Sequence, residues 1–363
     1  MRVKKVYLEN FLSYENLFVE FEEGLNVLVG HNAAGKTNLL ESIYYSSLGK
    51  SARGLKDKEL INWNGKDSAR IRLFVEKRFS SHVVDVFIDK QGKKRITVNG
   101  LPIMKIGELM GVINVVFFSP SEMKLIKESP ADRRRFMDIS LCQQDKKYFY
   151  TLVGYNKMLA QRNKMLKDYK NMASLDAMND IMVEKLCSLQ EYLMKKRKEF
   201  LEELTPIAAK RHSVLTSGKE TLTLEYETEE VDWANLKDSL KELYKKAYEK
   251  DKRLEYTSVG VHRDDIKIKA DDVDVRKYGS QGQQRTVALS MKLAEVLLLR
   301  ERSGEYPVLL MDDVLSELDG DRRKALFEDL DGIQTFITCT DFNEITEKKT
   351  VYAVDNGKVK KND

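Results

Sequence analysis

Leu25-Asn26-Val27-Leu28-Val29, a short apolar run, opens straight into Gly30-His31-Asn32-Ala33-Ala34-Gly35-Lys36-Thr37. The run predicts a buried strand. Residues from Lys36 to about Leu48 predict a helix with Leu39, Leu40, Ile43 and Tyr44 on one face. Between strand and helix the residues fit the pattern G-x-x-x-x-G-K-[ST], which requires that context. Gly30 and Gly35 allow a turn tight enough for consecutive backbone N–H groups to face a phosphate at a helix N-terminus. Lys36 supplies a cation for the β- and γ-phosphates of a nucleoside triphosphate, and the Thr37 hydroxyl is the expected Mg²⁺ ligand. His31, Asn32, Ala33 and Ala34 fill the variable positions, and His31 reads as a loop residue rather than a catalyst.

Around this loop the pattern alternates with period two. FVEFEEG precedes it, and RIRLFVEKR, HVVDVFID and KRITVNG follow over residues 68–103, with Gln91-Gly92 and Asn99-Gly100 where hairpin turns belong. An antiparallel sheet with one solvent-facing side is predicted there. The middle of the chain changes character: 51 residues between Gly154 and Pro206 contain neither glycine nor proline. Leu175, Met178, Met182, Leu186, Leu189 and Leu193 recur every three or four positions and make one apolar stripe. The polar stretch Asn171–Ser174 divides this region into two antiparallel helices. A strand at 221–227 and a helix over about 234–255 come next, and from Tyr256 strand and helix alternate again to a hairpin at Asn356-Gly357. The predicted organisation is α/β. Residues 1–120 and 256–363 form the two parts of a nucleotide-binding head with an antiparallel β subdomain, and 121–255 form an inserted, mostly helical arm.

Two further segments carry chemistry. Val308-Leu309-Leu310-Met311-Asp312-Asp313 is an apolar strand ending in paired acids, where Asp312 would bind Mg²⁺ through water and Asp313 would polarise an attacking water. Tyr278-Gly279-Ser280-Gln281-Gly282-Gln283-Gln284-Arg285 opens a long helix, Thr286 to Leu299, and offers a hydroxyl and the positive dipole end to an anion. An ordinary helix cap accounts for the same string.

Together these elements resemble the ABC-type ATPases, and among them the SMC-like branch that works on DNA and includes bacterial recombination mediators. The resemblance is carried by KVYLENFLSYENLFVEF, GLNVLVGHNAAGKTNLLESIYY, FFSPSEMKLIKESPADRRRFMD, GVHRDDI, YGSQGQQRTVALSMKLAE and LLMDDVLSELDGDRR, spread over residues 3–323. It implies an ABC-type head with Gly30 to Thr37 as Walker A loop and Asp312 as Walker B acid. Ser280, Gly282 and Gln283 become the signature motif and Ser316-Glu317-Leu318-Asp319 the D-loop. It further implies ATP and Mg²⁺ as cofactors and an ATP-dependent homodimer in which the signature meets the partner's ATP. The catalytic set is Lys36, Asp312 and Asp313. Asp313 stands where glutamate is usual, one methylene shorter, so slow hydrolysis is expected, and the resemblance implies a weak ATPase stimulated by DNA. No histidine occupies the switch position at Cys339-Thr340-Asp341, and no Q-loop glutamine stands near Phe118-Ser119-Pro120-Ser121.

Partners implied by the resemblance are duplex DNA near single-strand gaps and RecR, acting with RecO to load RecA, in DNA repair, replication and the SOS response. Net charge alone does not announce a DNA binder: 62 Lys plus Arg face 58 Asp plus Glu, a net of +4. Local clusters do. Lys157, Arg162, Lys164, Lys167 and Lys170 form one, with Lys157, Arg162, Lys164 and Lys167 as the expected DNA contacts; Lys195-Lys196-Arg197-Lys198 and Arg133-Arg134-Arg135 form two others. No aromatic stacking platform accompanies them, so sequence-independent binding is predicted. Three cysteines, widely spaced, suit neither a disulfide framework nor a zinc site. Glu9 and Asn10 interrupt any signal-peptide core, and no run of about 18 apolar residues exists, so a soluble, cytoplasmic protein is expected. A transporter ATPase would not need the arm or the basic clusters, a long SMC tether would need a longer coiled coil, and a small-molecule kinase would not need the signature helix.

Overall fold

Alternating residues become strands wherever the sequence shows them. The computed structural model describes residues 1–64, 67–119, 124–168, 175–341 and 349–362. The chain opens with β1 (Arg2–Phe11), β2 (Tyr14–Glu20), β3 (Leu25–Val29) and α1 (Lys36–Leu48), followed by β4 (Ser68–Glu76), β5 (Ser81–Asp89), β6 (Lys94–Val98), β7 (Leu101–Pro102) and β8 (Val115–Phe118). Six of these make one sheet in the order β2-β1-β4-β5-β6-β7, every pair antiparallel. One face buries Val6, Leu8, Ile71, Leu73, Val84 and Val86. On the other, Arg70 and Arg72 share Asp85, a cross-strand pairing suited to a wet surface. Asn99 and Gly100 both take positive φ, as a two-residue hairpin turn requires.

Next come α2 (Lys124–Lys127), α3 (Pro130–Gln144), α4 (Lys146–Lys167), α5 (Leu175–Leu215), β9 (Leu222–Glu227), α6 (Leu236–Leu254), β10 (Asp265–Ala270), β11 (Val273–Asp274) and α7 (Val275–Tyr278). α4 and α5 run antiparallel: a side chain at Gly154 would meet Leu189, while Arg162 reaches Asn179 at 3.1 Å. The predicted break at Asn171–Ser174, like Lys170, lies outside the described residues. α5 continues through Pro206, which removes only one backbone donor, the one that would serve Glu202 four residues earlier. β9 pairs antiparallel with β10, and β10 with β11. This pairing moves the arm boundary. Chain contacts divide the protein into Met1–Met123, Lys210–Glu220 and Arg285–Asp363 on one side and Lys124–Ala209 and Thr221–Gln284 on the other. The second unit therefore runs beyond residue 255, because β9 finds its sheet partner in β10.

Inside this second unit the basic clusters are corrected. Arg162 is fully buried and pairs with Asp251 at 2.7 Å. Arg133 is buried on Asp265, and Arg197 is buried on Asp138 at 2.9 Å. An arginine in the interior must keep its charge paired, and each of these does. Arg162 is thus a core residue and not a DNA contact. Lys195, Lys196 and Lys198 pair with Glu191, Glu199 and Glu202 of their own helix, so that cluster is not a free basic patch.

The chain then forms α8 (Gln281–Ser303), β12 (Val308–Asp312), α9 (Gly320–Asp329), β13 (Thr335–Cys339), β14 (Lys349–Asp355) and β15 (Lys358–Lys361). With β3 and β8 these strands build the second sheet of the first unit, order β15-β14-β3-β13-β12-β8, parallel apart from β15. α1 packs against strands of both sheets of this unit, touching β1, β4 and β5 as well as β8, β12 and β13. It is consequently buried nearly all round, not on the one face predicted. Ser42, Ser46 and Ser47 survive there by donating to carbonyls of their own helix at 2.7–2.8 Å. No helix among the described residues is long and apolar enough to cross a membrane.

Candidate nucleotide site

In the parallel sheet β13 lies between β3 and β12, with Val29 beside Cys339 and Thr338 beside Asp312. The loop after β3 and the acid ending β12 therefore emerge at the same carboxyl edge, one strand apart, where α/β sheets place ligands. Gly30 is required: a Cβ would stand 2.1 Å from the Val354 carbonyl oxygen. Gly35 has φ +112, a conformation that side chains disfavour, and it starts α1. The Tyr14 hydroxyl donates to the Gly35 carbonyl at 3.0 Å and fixes the turn from below. Lys36 is buried, its ammonium donating to the carbonyls of Gly30 at 2.6 Å and His31 at 2.9 Å. His31, Asn32 and Ala33 are exposed, and Ala34 is buried. His31 serves through its carbonyl, while its ring points to solvent.

Thr37 and Asp312 meet although 275 residues separate them: the Thr37 hydroxyl donates to Asp312 Oδ1 at 2.9 Å. A second hydroxyl, on Thr338, donates to the same oxygen at 2.7 Å and accepts the Asp313 N–H at 2.9 Å. Thr338 was not among the predicted site residues, since a threonine in a strand is ordinary. Asp313 is exposed with φ +50, a strained turn that the Ser316 hydroxyl braces through the Asp313 carbonyl at 2.9 Å. Asp319 accepts the Arg322 N–H at 2.9 Å and caps α9. The cavity at this edge holds about 270 Å³ and is lined by the loop, Thr37, Asn38, Arg53, Asp312, Asp313, Thr338 and Thr340. Arg53 was also missed. It is oriented by the buried carboxylate of Glu41 at 3.3 Å and by Asn38 at 3.0 Å. Burial pushes the thiol of Cys339, between Thr338 and Thr340 in sequence, up to about 11, which keeps it protonated and inert. Of the stretch where a Q-loop glutamine was sought and not found, Pro120 and Ser121 lie outside the described residues.

Ser280, Gly282 and Gln283, the residues expected as the signature, belong to the second unit. Ser280 Oγ accepts the Gln283 N–H at 3.2 Å, and Gln283 Oε1 accepts the Ser280 N–H at 2.9 Å. This reciprocal capping box starts α8 and explains the Ser-x-x-Gln spacing by helix chemistry alone. On α4, Lys157, Lys164 and Lys167 are exposed and have no ionic partner among the described residues.

The family model for the RecF/RecN/SMC N terminal domain matches residues 2–362. The DNA replication and repair protein RecF of Clostridium botulinum (strain Loch Maree / Type A3) is 43% identical over 366 residues, covering 99% of this chain and 100% of that protein. The chain belongs to the RecF family. RecF of Clostridium perfringens (strain SM101 / Type A) is 45% identical over 99% of both chains. Among solved structures, that of the recombination mediator protein RecF-ATP in the RecFOR pathway matches with a TM-score of 0.92 at 36% identity, over 99% of this chain and 97% of that one. The Smc head domain of Pyrococcus furiosus matches with a TM-score of 0.57 at 17% identity, over 99% and 95%. RecF proteins act in DNA replication and repair, and their fold is the SMC-type head of the ABC ATPases seen here.

Proposed function

We propose that the chain binds ATP and Mg²⁺ in the Gly30–Thr37 cradle and hydrolyses ATP slowly, with stimulation by DNA. ATP joins two copies, and the closed dimer holds duplex DNA near single-strand gaps, where it works with RecR and RecO in loading RecA in the cytoplasm. The observation that carries this reading is the Thr37–Asp312 hydrogen bond, which unites two segments 275 residues apart at one cavity. Mg²⁺ favours one or two protein oxygen ligands completed by phosphates and waters, and Thr37 Oγ1 with Asp312 meets that requirement. ATP with its metal supplies the phosphoryl group to be transferred. Lys36, already desolvated inside the loop, exchanges its carbonyl partners for phosphate oxygens. Thr338 keeps the Asp312 carboxylate turned inward. Asp313 orients the water from the far side, and its short side chain accounts for slow turnover. A RecF solved as RecF-ATP, 36% identical to this chain, supports the same reading. The exposed α4 lysines suit phosphate contacts that read no sequence.

Lys36→Ala tests it. The variant should fold as the parent does, lose hydrolysis and bind ATP at least about tenfold more weakly by calorimetry, a loss of about 1.4 kcal/mol. Parental turnover in Lys36→Ala would remove the cradle from the mechanism.

A further inference from the structure

The arm sheet ends in an open strand. Its order is β11-β10-β9, so among the described residues β9 has no strand on its outer side. The Thr221 carbonyl accepts the Asp271 N–H at 3.0 Å across the β10 side, so alternation turns the main-chain groups of Leu222, Leu224 and Tyr226 outward. The Leu224 carbonyl accepts the Thr205 hydroxyl at 3.1 Å. Beyond it, along Tyr226 to Val231, the edge borders a groove of about 580 Å³ against α5. Leu201 and Leu224 line its apolar part and Trp233 stands in its wall, the ring covered by the Lys198 ammonium at 4.5 Å. The rim is acidic. Glu227 has a partner in Arg276 at 3.2 Å, whereas Glu229 and Glu230 are exposed and have no ionic partner among the described residues.

These features select an occupant. α5 covers the edge at Leu224, so the open N–H and C=O groups begin at Tyr226, where another extended backbone satisfies them and a helix or a compact small molecule does not. Uncompensated carboxylates repel phosphate, so nucleic acid is excluded from this face. In a strand successive side chains point to opposite sides, so the occupant should present apolar residues to Leu201 and Trp233 and cationic residues to Glu229 and Glu230. We infer that the groove between β9 and α5 docks an extended segment of a partner protein, alternating apolar residues with lysine or arginine, as a fourth strand on β9. The site is separate from the nucleotide cradle and its use does not depend on the ATPase reading.

The chain has two tryptophans, so full-length Trp63→Phe protein leaves Trp233 as sole reporter. The probe is a peptide alternating lysine and valine. The controls are its glutamate–valine counterpart and a lysine–valine peptide with proline at alternate positions, which cannot donate to a strand edge. The lysine–valine peptide should shift Trp233 emission saturably and slow amide exchange over residues 222–228. Glu229→Gln/Glu230→Gln, which changes only exposed groups, should weaken binding by at least about tenfold, as should the proline peptide. Three results overturn the proposal. Absence of a saturable shift, or equal binding by the glutamate peptide, means that the acids only blunt the strand edge. Unchanged affinity in the double variant places the peptide elsewhere. Slowed exchange at 222–228 on raising protein concentration alone makes a second copy of this chain the occupant.

Discussion

At the residue scale the site is held by groups whose identity backbone geometry dictates. Gly30 and Gly35 were legible in the sequence because no other residue fits a 2.1 Å approach to Val354 or a φ of +112. Thr338 was not legible, because its role depends on which strand lies beside β12. Thr338→Val keeps its shape but strands the Asp313 N–H and frees one side of Asp312. Hydrolysis should fall at least about tenfold, with a stability loss of about 1–3 kcal/mol, read by phosphate release and urea unfolding. His262, in the family string GVHRDDI, turns out to be architectural. Its Nδ1 meets the Tyr155 hydroxyl at 2.8 Å and its Nε2 donates to the Thr257 carbonyl at 3.1 Å. Burial pushes its pKa down from 6.5 to about 4. The unfolded chain thus takes up a proton that the folded one refuses, so the contribution of this residue is complete above pH 6.5 and disappears as pH falls through 4. About 2 kcal/mol should be lost by about pH 5. His262→Gln should lose that share of the slope between pH 7 and 5; a parental slope in the variant would assign the acid sensitivity to other groups.

Elements were legible by period and miscast by environment. α1 was read as one-faced because Leu39, Leu40, Ile43 and Tyr44 align, yet the small serines on its other side were already a sign of burial. The arm arginines carry a similar lesson. Arg162 sits seven residues after Tyr155 and four before Leu166, both buried, and Arg197 falls between Met194 and Phe200 on the same inward stripe. Charge counting put them on the surface, whereas helical periodicity puts them inside. The two kinds of cation on α4 should therefore behave differently. Lys164→Glu with Lys167→Glu should leave stability within about 0.5 kcal/mol, weaken duplex binding for every sequence alike, and flatten its log–log salt slope by about two. Arg162→Met should instead strand the Asp251 charge and cost about 3–5 kcal/mol of stability. Unfolding curves and fluorescence-anisotropy titrations at several salt concentrations separate the two, and an unchanged salt slope in the lysine pair would take α4 out of the DNA interface.

For the whole molecule, the division of labour between units bears on how many copies make one working site. The sequence offered a candidate cradle and a candidate signature string. It could not say that β10, after residue 255, completes the arm sheet, since pairing between distant segments leaves no local pattern. On the proposed dimer, the signature of one copy serves the cradle of the other, and two-fold symmetry makes both composite sites equal. Ser280→Arg removes the hydroxyl and fills the space before α8, while Gly30–Thr37 are unchanged. Alone it should bind ATP as the parent does, stay monomeric and not hydrolyse. Lys36→Ala alone should be inactive for the opposite reason. An equimolar mixture is the decisive case. In a mixed dimer one site joins the intact Lys36 of the first variant to the intact Ser280 of the second, and the other site carries both lesions. Since Ser280→Arg does not pair with itself, every dimer that contains it is mixed and has one of its two sites intact, so turnover should rise from none to at most about half of the parental value. A signature acting on the ATP of its own chain would give no recovery, because each copy then carries its own lesion. Turnover of the mixture, followed with sizing under ATP and Mg²⁺, therefore decides between a shared site and a self-contained one.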